Sequence, residues 1–315
     1  MDIVTLIPAF KPQYMGELFL GLANQTLPSK RIVVSDDSPD SEFSRLLDSA
    51  EMAPLRERLP VEIIRGPRKG AYANFEYLLD HWSGSSELVH LLLDDDVLYP
   101  EFYELHRLSH ESARFSSSVS ARWYANENGQ PISVMPVPGQ VRFNPARFLS
   151  LGPDMLFKTT VPHCNNWLGE FSNCVMTAET AKLARESVLA GISYAGLWDV
   201  GTLLAASLAA PVAYLQDRLG YFRVSRHQQS ANFQRKDLKA GHLAWVALAL
   251  AGRRMDQLNV EDVQSCCRNI TALLSKRYAQ EEDISPFLTI LSRLAAGMDA
   301  VDDFLATWGA FFETP

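Results

Sequence analysis

Along the first hundred residues the apolar positions change period again and again. "IVTLIP" is a β-branched run closed by Pro8, and after it Met15, Leu18, Phe19 and Leu22 stand at i, i+3, i+4 and i+7, one face of a helix. "RIVVSDD" predicts a second strand, followed by a helix marked by Phe43, Leu46, Leu47 and Ala50. "VEIIRG" predicts the third. Phe75, Leu78, Leu79 and Trp82 mark the next helix, and "ELVHLLL" the fourth strand. Continuous apolar strands separated by amphipathic helices predict an α/β fold, a mostly parallel sheet covered by helices on both faces. In such sheets ligands sit beyond the carboxyl ends of the strands. Asp36–Asp37 and Asp94–Asp96 lie at two of those ends, so they are expected to share one cleft.

Beyond residue 115 the pattern loosens. "SVMPVPGQVRFNPARF" is rich in proline and turn residues and reads as a looped extension of the sheet rather than a linker. Helical patterning returns from Ala178 to Ala209, and "PVAYLQDRLGYFRVS" predicts one or two strands. After Asn232 the chain is mostly helical, with a helix start at Ser285–Pro286. Phe287, Leu291, Leu294, Met298, Val301, Leu305, Trp308 and Phe312 recur at alternating spacings of four and three. That period can form a seam between helices. Packing on the preceding helix around Cys267, Ile270 and Leu274 is one use of it; a homodimer through the C-terminal helices is the other. The expected division is a sheet-bearing domain over 1–232, in halves 1–110 and 111–232, with a helical region over 233–315.

Length and composition narrow the classes. The 315 residues can bury a proper core, 47% are hydrophobic and 21% charged, and the net charge is −8. No Lys/Arg-rich block occurs, so nucleic acid is not an expected partner, while a peripheral contact with an acidic membrane surface stays open. "MDIVTLIPAF" has no basic n-region or small-residue cleavage site, which argues against a signal peptide. Apolar runs such as "LAWVALALAG" fall short of the roughly 20 residues that span a bilayer. Cys164, Cys174, Cys266 and Cys267 match no zinc or redox spacing and read as reduced thiols of a cytoplasmic protein.

The chemistry concentrates in "LLLDDDVLYP", where three carboxylates follow three leucines. If the strand ran through them, Asp94 and Asp96 would share a face, about 6.6 Å apart along the chain, with Asp95 opposite. Carboxylates so close repel unless a cation intervenes. Mg²⁺ and Mn²⁺ suit one or two carboxylates completed by phosphates and water. A solvated acidic loop is the plain alternative.

Four segments in order resemble the family-2 glycosyltransferases of the GT-A fold: "LIPAF" (Leu6–Phe10), "ANQTLP" (Ala23–Pro28), "IVVSDDSPD" (Ile32–Asp40) and "LLLDDDVLYP" (Leu91–Pro100). "GPRKGAYANFEYLL" is similar to the family's Gly–Asn segment. The resemblance implies a Rossmann-like GT-A fold whose first 110 residues bind a nucleotide-sugar donor carrying UDP, dTDP or GDP. It also implies Mn²⁺ or Mg²⁺ as cofactor. Pro8, Ala9 and Phe10 would line base and ribose, with Asp36 or Asp37 accepting from the base and Asn74 facing the cleft. Asp96 would ligate the metal. The register of the triplet leaves open whether Asp94 or Asp95 assists it.

Inverting glycosyl transfer also needs a base for the acceptor hydroxyl. "SYAGLWDVGTLL" resembles the family's base-bearing segment, with Trp198–Asp199 in place of the commoner acidic pair, which makes Asp199 the candidate. Dipole stabilisation at a helix start is its structural alternative. "LGEFSNCVM" resembles the strand that shapes the acceptor side, placing Gly169 and Glu170 there beside Trp167, which either stacks a sugar or fills the core. "LGYFRVSRHQQS" resembles the closing segment, whose Arg223, Arg226 and His227 would meet a diphosphate, His227 completing the metal shell. The function so implied is metal-dependent inverting transfer of a hexosyl or deoxyhexosyl group to a saccharide or lipid-linked acceptor. Bacterial surface-polysaccharide assembly at the cytoplasmic face of the membrane is the setting. A nucleotidyltransferase would need a Gly-rich basic loop after the first strand, and a dehydrogenase a G-x-G-x-x-G turn; neither is present. A catalytically silent scaffold is the rival of another class, and it would tolerate loss of Asp96 and Asp199.

Overall fold

A computed structural model describes residues 1–224 and 234–313. The chain forms two compact units: Met1–Leu151, Leu168–Arg185 and Ala209–Arg226 make the first, and Gly152–Trp167, Glu186–Leu208 and His227–Pro315 the second. This division is not linear. Residues 152–167 and 186–208 group with the C-terminal helices rather than with the sheet. The buried side chains of Leu156, Phe157 and Val161 explain part of it, since this stretch packs on the helices Lys236–Arg254 and Val260–Tyr278.

In the first unit, β1 (Ile3–Ala9), β2 (Arg31–Asp36), β3 (Val61–Arg65) and β4 (Leu88–Leu91) are the strands that the four apolar runs predict. They lie in the order β3-β2-β1-β4, all parallel. Then come β5 (Val97–Leu98), β6 (Ser117–Ala125), β7 (Pro131–Val134), β8 (Phe148–Leu151) and β9 (Cys174–Thr177). A two-stranded ribbon of the second unit, β10 (Val188–Leu189) and β11 (Ile192–Ser193), precedes the long β12 (Val212–Arg223). The sheet continues β4-β9-β6-β12-β5, with β7 on β6 and β8 on β12. β6 and β12 are parallel to each other, whereas β5, β7, β8 and β9 run antiparallel to their neighbours. Residues 212–223 are thus one strand, bent by two register shifts between Leu215 and Tyr221.

Strand alternation decides which side chains face which layer. Ile3, Ile7 and Ala9 join one core with Leu18, Phe19 and Leu22 of the helix Met15–Ala23 and Phe102 and Leu105 of the helix Phe102–Ser112. The helix Ala71–Trp82 packs on β1 and β2 but shares none of that core, so it covers the opposite face.

In the second unit the alternating apolar run does not make one seam. It splits into helices Ser285–Ala295 and Val301–Glu313 around Gly297, whose φ of +76° an L side chain rarely adopts. Phe287, Leu291, Leu294, Phe304, Trp308 and Phe311 are buried, while Met298 and Phe312 stay exposed. The first of these helices packs on Val260–Tyr278, where Cys267, Ile270 and Leu274 are buried. Among the described residues no helix is long and apolar enough to cross a membrane.

Candidate functional site

The acidic triplet is not strand. β4 stops at Leu91, one further backbone bond from Leu92 N–H to the Leu6 carbonyl carries the pairing on, and Asp94–Asp95 form a turn. Alternation therefore does not set the aspartates' directions, and each meets a different environment. β5 follows at once and is held against β12 at Gly220, where a Cβ would strike the Val97 carbonyl.

Asp94 ties the turn to the exit of β1. Its Oδ2 accepts from the backbone N–H groups of Phe10 and Lys11, both at 2.5 Å. Burial, with Asp95 adding, still pushes its pKa up to about 6. Asp95 pairs with the Lys11 ammonium. Burial alone would lower the Lys11 pKa, but Asp95, with Asp94 and Asp96 behind it, outweighs that and holds it above its ordinary value.

Asp96 is left unanswered. It is 2% exposed, its Oδ1 accepts from the Arg223 N–H at 3.2 Å, and its Oδ2 has no hydrogen-bond partner among the described residues. The nearby Ser172 hydroxyl accepts from the Leu93 N–H at 3.0 Å. Burial first, and Asp95 second, push the Asp96 pKa up to about 7 against the Ser172 hydroxyl, which is close enough to favour the charged form but is outside hydrogen-bonding geometry, and the charge of Arg122. A buried carboxylate oxygen with no donor is costly unless a cation meets it. The residues present therefore fit a divalent ion. Among the described residues no group of three or more His, Cys, Asp or Glu is placed to hold one. Such an ion would take one or two carboxylate oxygens from the chain and the rest from phosphate and water, the habit of Mg²⁺ and Mn²⁺.

Arg223, expected at the diphosphate, is fully buried as a brace. It donates to the carbonyls of Asp95 at 3.0 Å and Glu127 at 2.5 Å, pairs with Glu17 at 2.5 Å, and lies 4.2 Å from the Tyr14 ring centroid. His227 and Arg226 lie outside the described residues.

At the end of β2, Pro8 and Ala9 stand opposite Ser35 and Asp36. Asp36 is buried, and both of its oxygens accept from backbone and hydroxyl groups of Ser38 and Ser44. Burial opposes ionisation, yet these bonds outweigh it and hold the pKa below the usual range. Asp36 is thus the turn's internal anchor. Asp37 is half-buried and accepts from the Arg68 N–H at 2.6 Å, and Phe10 beyond Ala9 is 51% exposed. Asn74 is buried, bonded to the Ser35 hydroxyl and carbonyl at 2.5 and 3.1 Å, and so ties its helix to β2.

Gly169 and Glu170 belong to a polar knot beside Asp96. Arg122, 7% exposed on β6, donates to Asn173 at 2.6 Å and lies 3.7 Å from the Glu170 carboxylate; its Nε has no partner among the described residues. Asn173 donates to the carbonyls of Ser120 and Leu168 at 2.7 and 3.0 Å. Gly169, at φ +112°, leaves no room for a Cβ beside Asn173 and Arg122. Asp96, Arg122, Ser172 and Phe222 line a small cavity there.

Trp167, Trp198 and Asp199 lie in the second unit. Trp167 is buried and donates to the Thr159 hydroxyl at 3.0 Å, a core residue. Trp198 and Asp199 open the helix Trp198–Ser207, both half-buried. Asp199 accepts from Asn166 at 3.0 Å and from the Val200 N–H at 2.7 Å. Lys11, Arg122, Ser172 and Asn173 are site residues that the sequence reading missed. A lone arginine in the small, apolar strand "SVSARWYA" was the one available signal.

A mixed sheet whose first four strands are parallel, with a buried acidic turn after the fourth, gives an α/β fold of GT-A type. The chain belongs to the family described as glycosyl transferase family 2, which matches it over residues 5–164. Solved structures of the same fold include residues 1–349 of TarS from S. aureus in complex with UDP-GlcNAc, with TM-score 0.57 and 12% identity over 99% of this chain and 92% of that fragment. The same TarS fragment in complex with UDP aligns with TM-score 0.53 and 14% identity over 100% and 92%. The mannosyltransferase PcManGT from Pyrobaculum calidifontis, in complex with GDP-Man and Mn²⁺, aligns with TM-score 0.53 and 11% identity over 99% and 85%. Comparison with curated proteins gives no match.

Proposed function

We propose that this glycosyltransferase moves a hexosyl or deoxyhexosyl group, with inversion, from a nucleoside-diphosphate donor to a saccharide or lipid-linked acceptor. Its setting would be surface-polysaccharide assembly at the cytoplasmic face of a bacterial membrane. The observation that carries the reading is the buried, unpartnered Oδ2 of Asp96 just beyond the carboxyl end of β4, in the parallel part of the sheet. Family membership and the UDP, UDP-GlcNAc and GDP-Man bound by proteins of this fold support a nucleotide-sugar donor.

In this reading Asp96 holds Mn²⁺ or Mg²⁺, with Asp95 or Asp94 behind it. When bound, that ion offsets the charge that grows on the departing diphosphate. Phe10 supplies an exposed ring for the base, and Pro8 and Ala9 the floor beneath the ribose. Of the paired aspartates Asp37 is the one for the base, because Asp36 already accepts from Ser38 and Ser44 on both oxygens. Asp199 takes the acceptor's proton, steadied by Asn166.

Thermal stabilisation by UDP, GDP, dTDP and CMP, each with and without Mn²⁺, tests the donor site. One or more nucleotides should stabilise the protein only with metal, by about 2.7 kcal/mol at 100-fold over Kd. Responses to none of them, or to all without metal, would remove the claim.

A further inference from the structure

The reading above leaves Lys11 without a part, although its ammonium reaches the acidic turn from the end of β1. Its ammonium pairs with Asp95, which is 8% exposed, while the lysine itself is 27% exposed. Its own backbone N–H, with that of Phe10, is bound to Asp94. The residue is therefore held at its backbone by Asp94 and at its ammonium by Asp95, while part of its side chain stays open to solvent. The ammonium also feels the field of Asp94 and Asp96. At the end of the same turn the Asp96 Oδ2, buried and unpartnered, is the position that a divalent ion would satisfy. Two cations so close to one acidic turn repel each other, and only the lysine is tethered.

We propose that Lys11 is a built-in counter-ion of the acidic turn, and that this rests on the metal-and-diphosphate reading of the same site. With no divalent ion bound, the ammonium balances Asp95. It weakens the binding of an ion at Asp96 while the site has no donor. When a nucleoside diphosphate enters, its oxygens give the ammonium a second partner, and lysine and metal then hold the anion together. Lys11 thus makes metal and donor bind cooperatively, which keeps the ion weakly held until substrate is there.

Mn²⁺ affinity by electron paramagnetic resonance, with and without UDP or GDP, separates this from a structural role. Lys11→Met should bind Mn²⁺ about tenfold tighter without nucleotide. The same variant should lose most of the nucleotide-induced gain in Mn²⁺ affinity, whereas Lys11→Arg should keep wild-type values within about twofold. Asp96→Asn should abolish specific Mn²⁺ binding. If Lys11→Met and Lys11→Gln, both folded by urea midpoint, bind Mn²⁺ like the wild type while Asp96→Asn does not, the counter-ion role is overturned and the metal site stands. If the wild-type protein binds no Mn²⁺ with either nucleotide, the metal reading and this inference fall together.

Discussion

Replacing Asp96 with Asn should make the metal-free protein more stable. The native carboxyl is raised from 3.8 to about 7, chiefly because burial strips its water. A native pKa above the unfolded one means that the folded state binds its proton more tightly. Below about pH 3.8 both states are protonated and the penalty vanishes; it grows as pH rises and is complete once pH passes the native value. A native value near 7 against 3.8 in the unfolded chain corresponds to about 4 kcal/mol at pH 8, falling to about 2 kcal/mol at pH 5. Asn carries no charge to desolvate, so urea unfolding in EDTA, followed by tryptophan fluorescence, should show Asp96→Asn more stable by amounts of that order. The gap should shrink between pH 8 and pH 5. Mn²⁺ with donor nucleotide should then stabilise the wild type and leave the variant unmoved. A variant less stable than wild type at pH 8, or a gap indifferent to pH, would refute the account of Asp96 as a strained carboxylate awaiting a cation.

Asp199→Asn should cut transfer by about 10²-fold or more, measured as donor-dependent product formation, while leaving the nucleotide-induced thermal shift unchanged. Burial lowers His90 to about 3 and His110 to about 4, and His106 well below its ordinary value. Their neutral forms stabilise the fold above pH 6.5, and that stability is lost as pH falls toward 4. The unfolding free energy from urea titration should therefore drop between pH 7 and 5 by up to about 2 kcal/mol per histidine, and less in His110→Asn. Gly169→Ala should cost more than about 1 kcal/mol by urea unfolding, since φ +112° and the crowding of Asn173 and Arg122 both oppose a Cβ.

The acidic turn shows how far the sequence could be read. The triplet's importance and its place after β4 were legible, because an apolar run ending in three charges is a local anomaly. The directions of those side chains were not. Strand geometry assigned Asp94 and Asp96 to one face, whereas the chain turns there and gives Asp94 to backbone N–H groups and Asp95 to Lys11. The same limit applies to Asp36, Asn74, Trp167 and Arg223. Each sits where its motif predicts along the chain, but internal bonds or the core take its side chain: Ser38 and Ser44 hold Asp36, Thr159 holds Trp167, and for Asn74 and Arg223 the partners come from distant segments.

What the sequence alone determined is periodic or adjacent: four parallel strands with their helices, the family-2 order of motifs, and the acidic ends of β2 and β4. Apolar spacing and side-chain alternation are local properties, and a chain carries them whether folded or not. Only the tertiary structure decided that 152–167 and 186–208 join the C-terminal helices, that Cys164 and Cys266 sulfurs lie 3.6 Å apart, and that the C-terminal apolar run splits around Gly297. It also decided that Asp96 keeps a fully buried oxygen without a donor among the described residues. These depend on which distant segments compete for the same buried surface and the same hydrogen bonds, and no local pattern encodes the outcome.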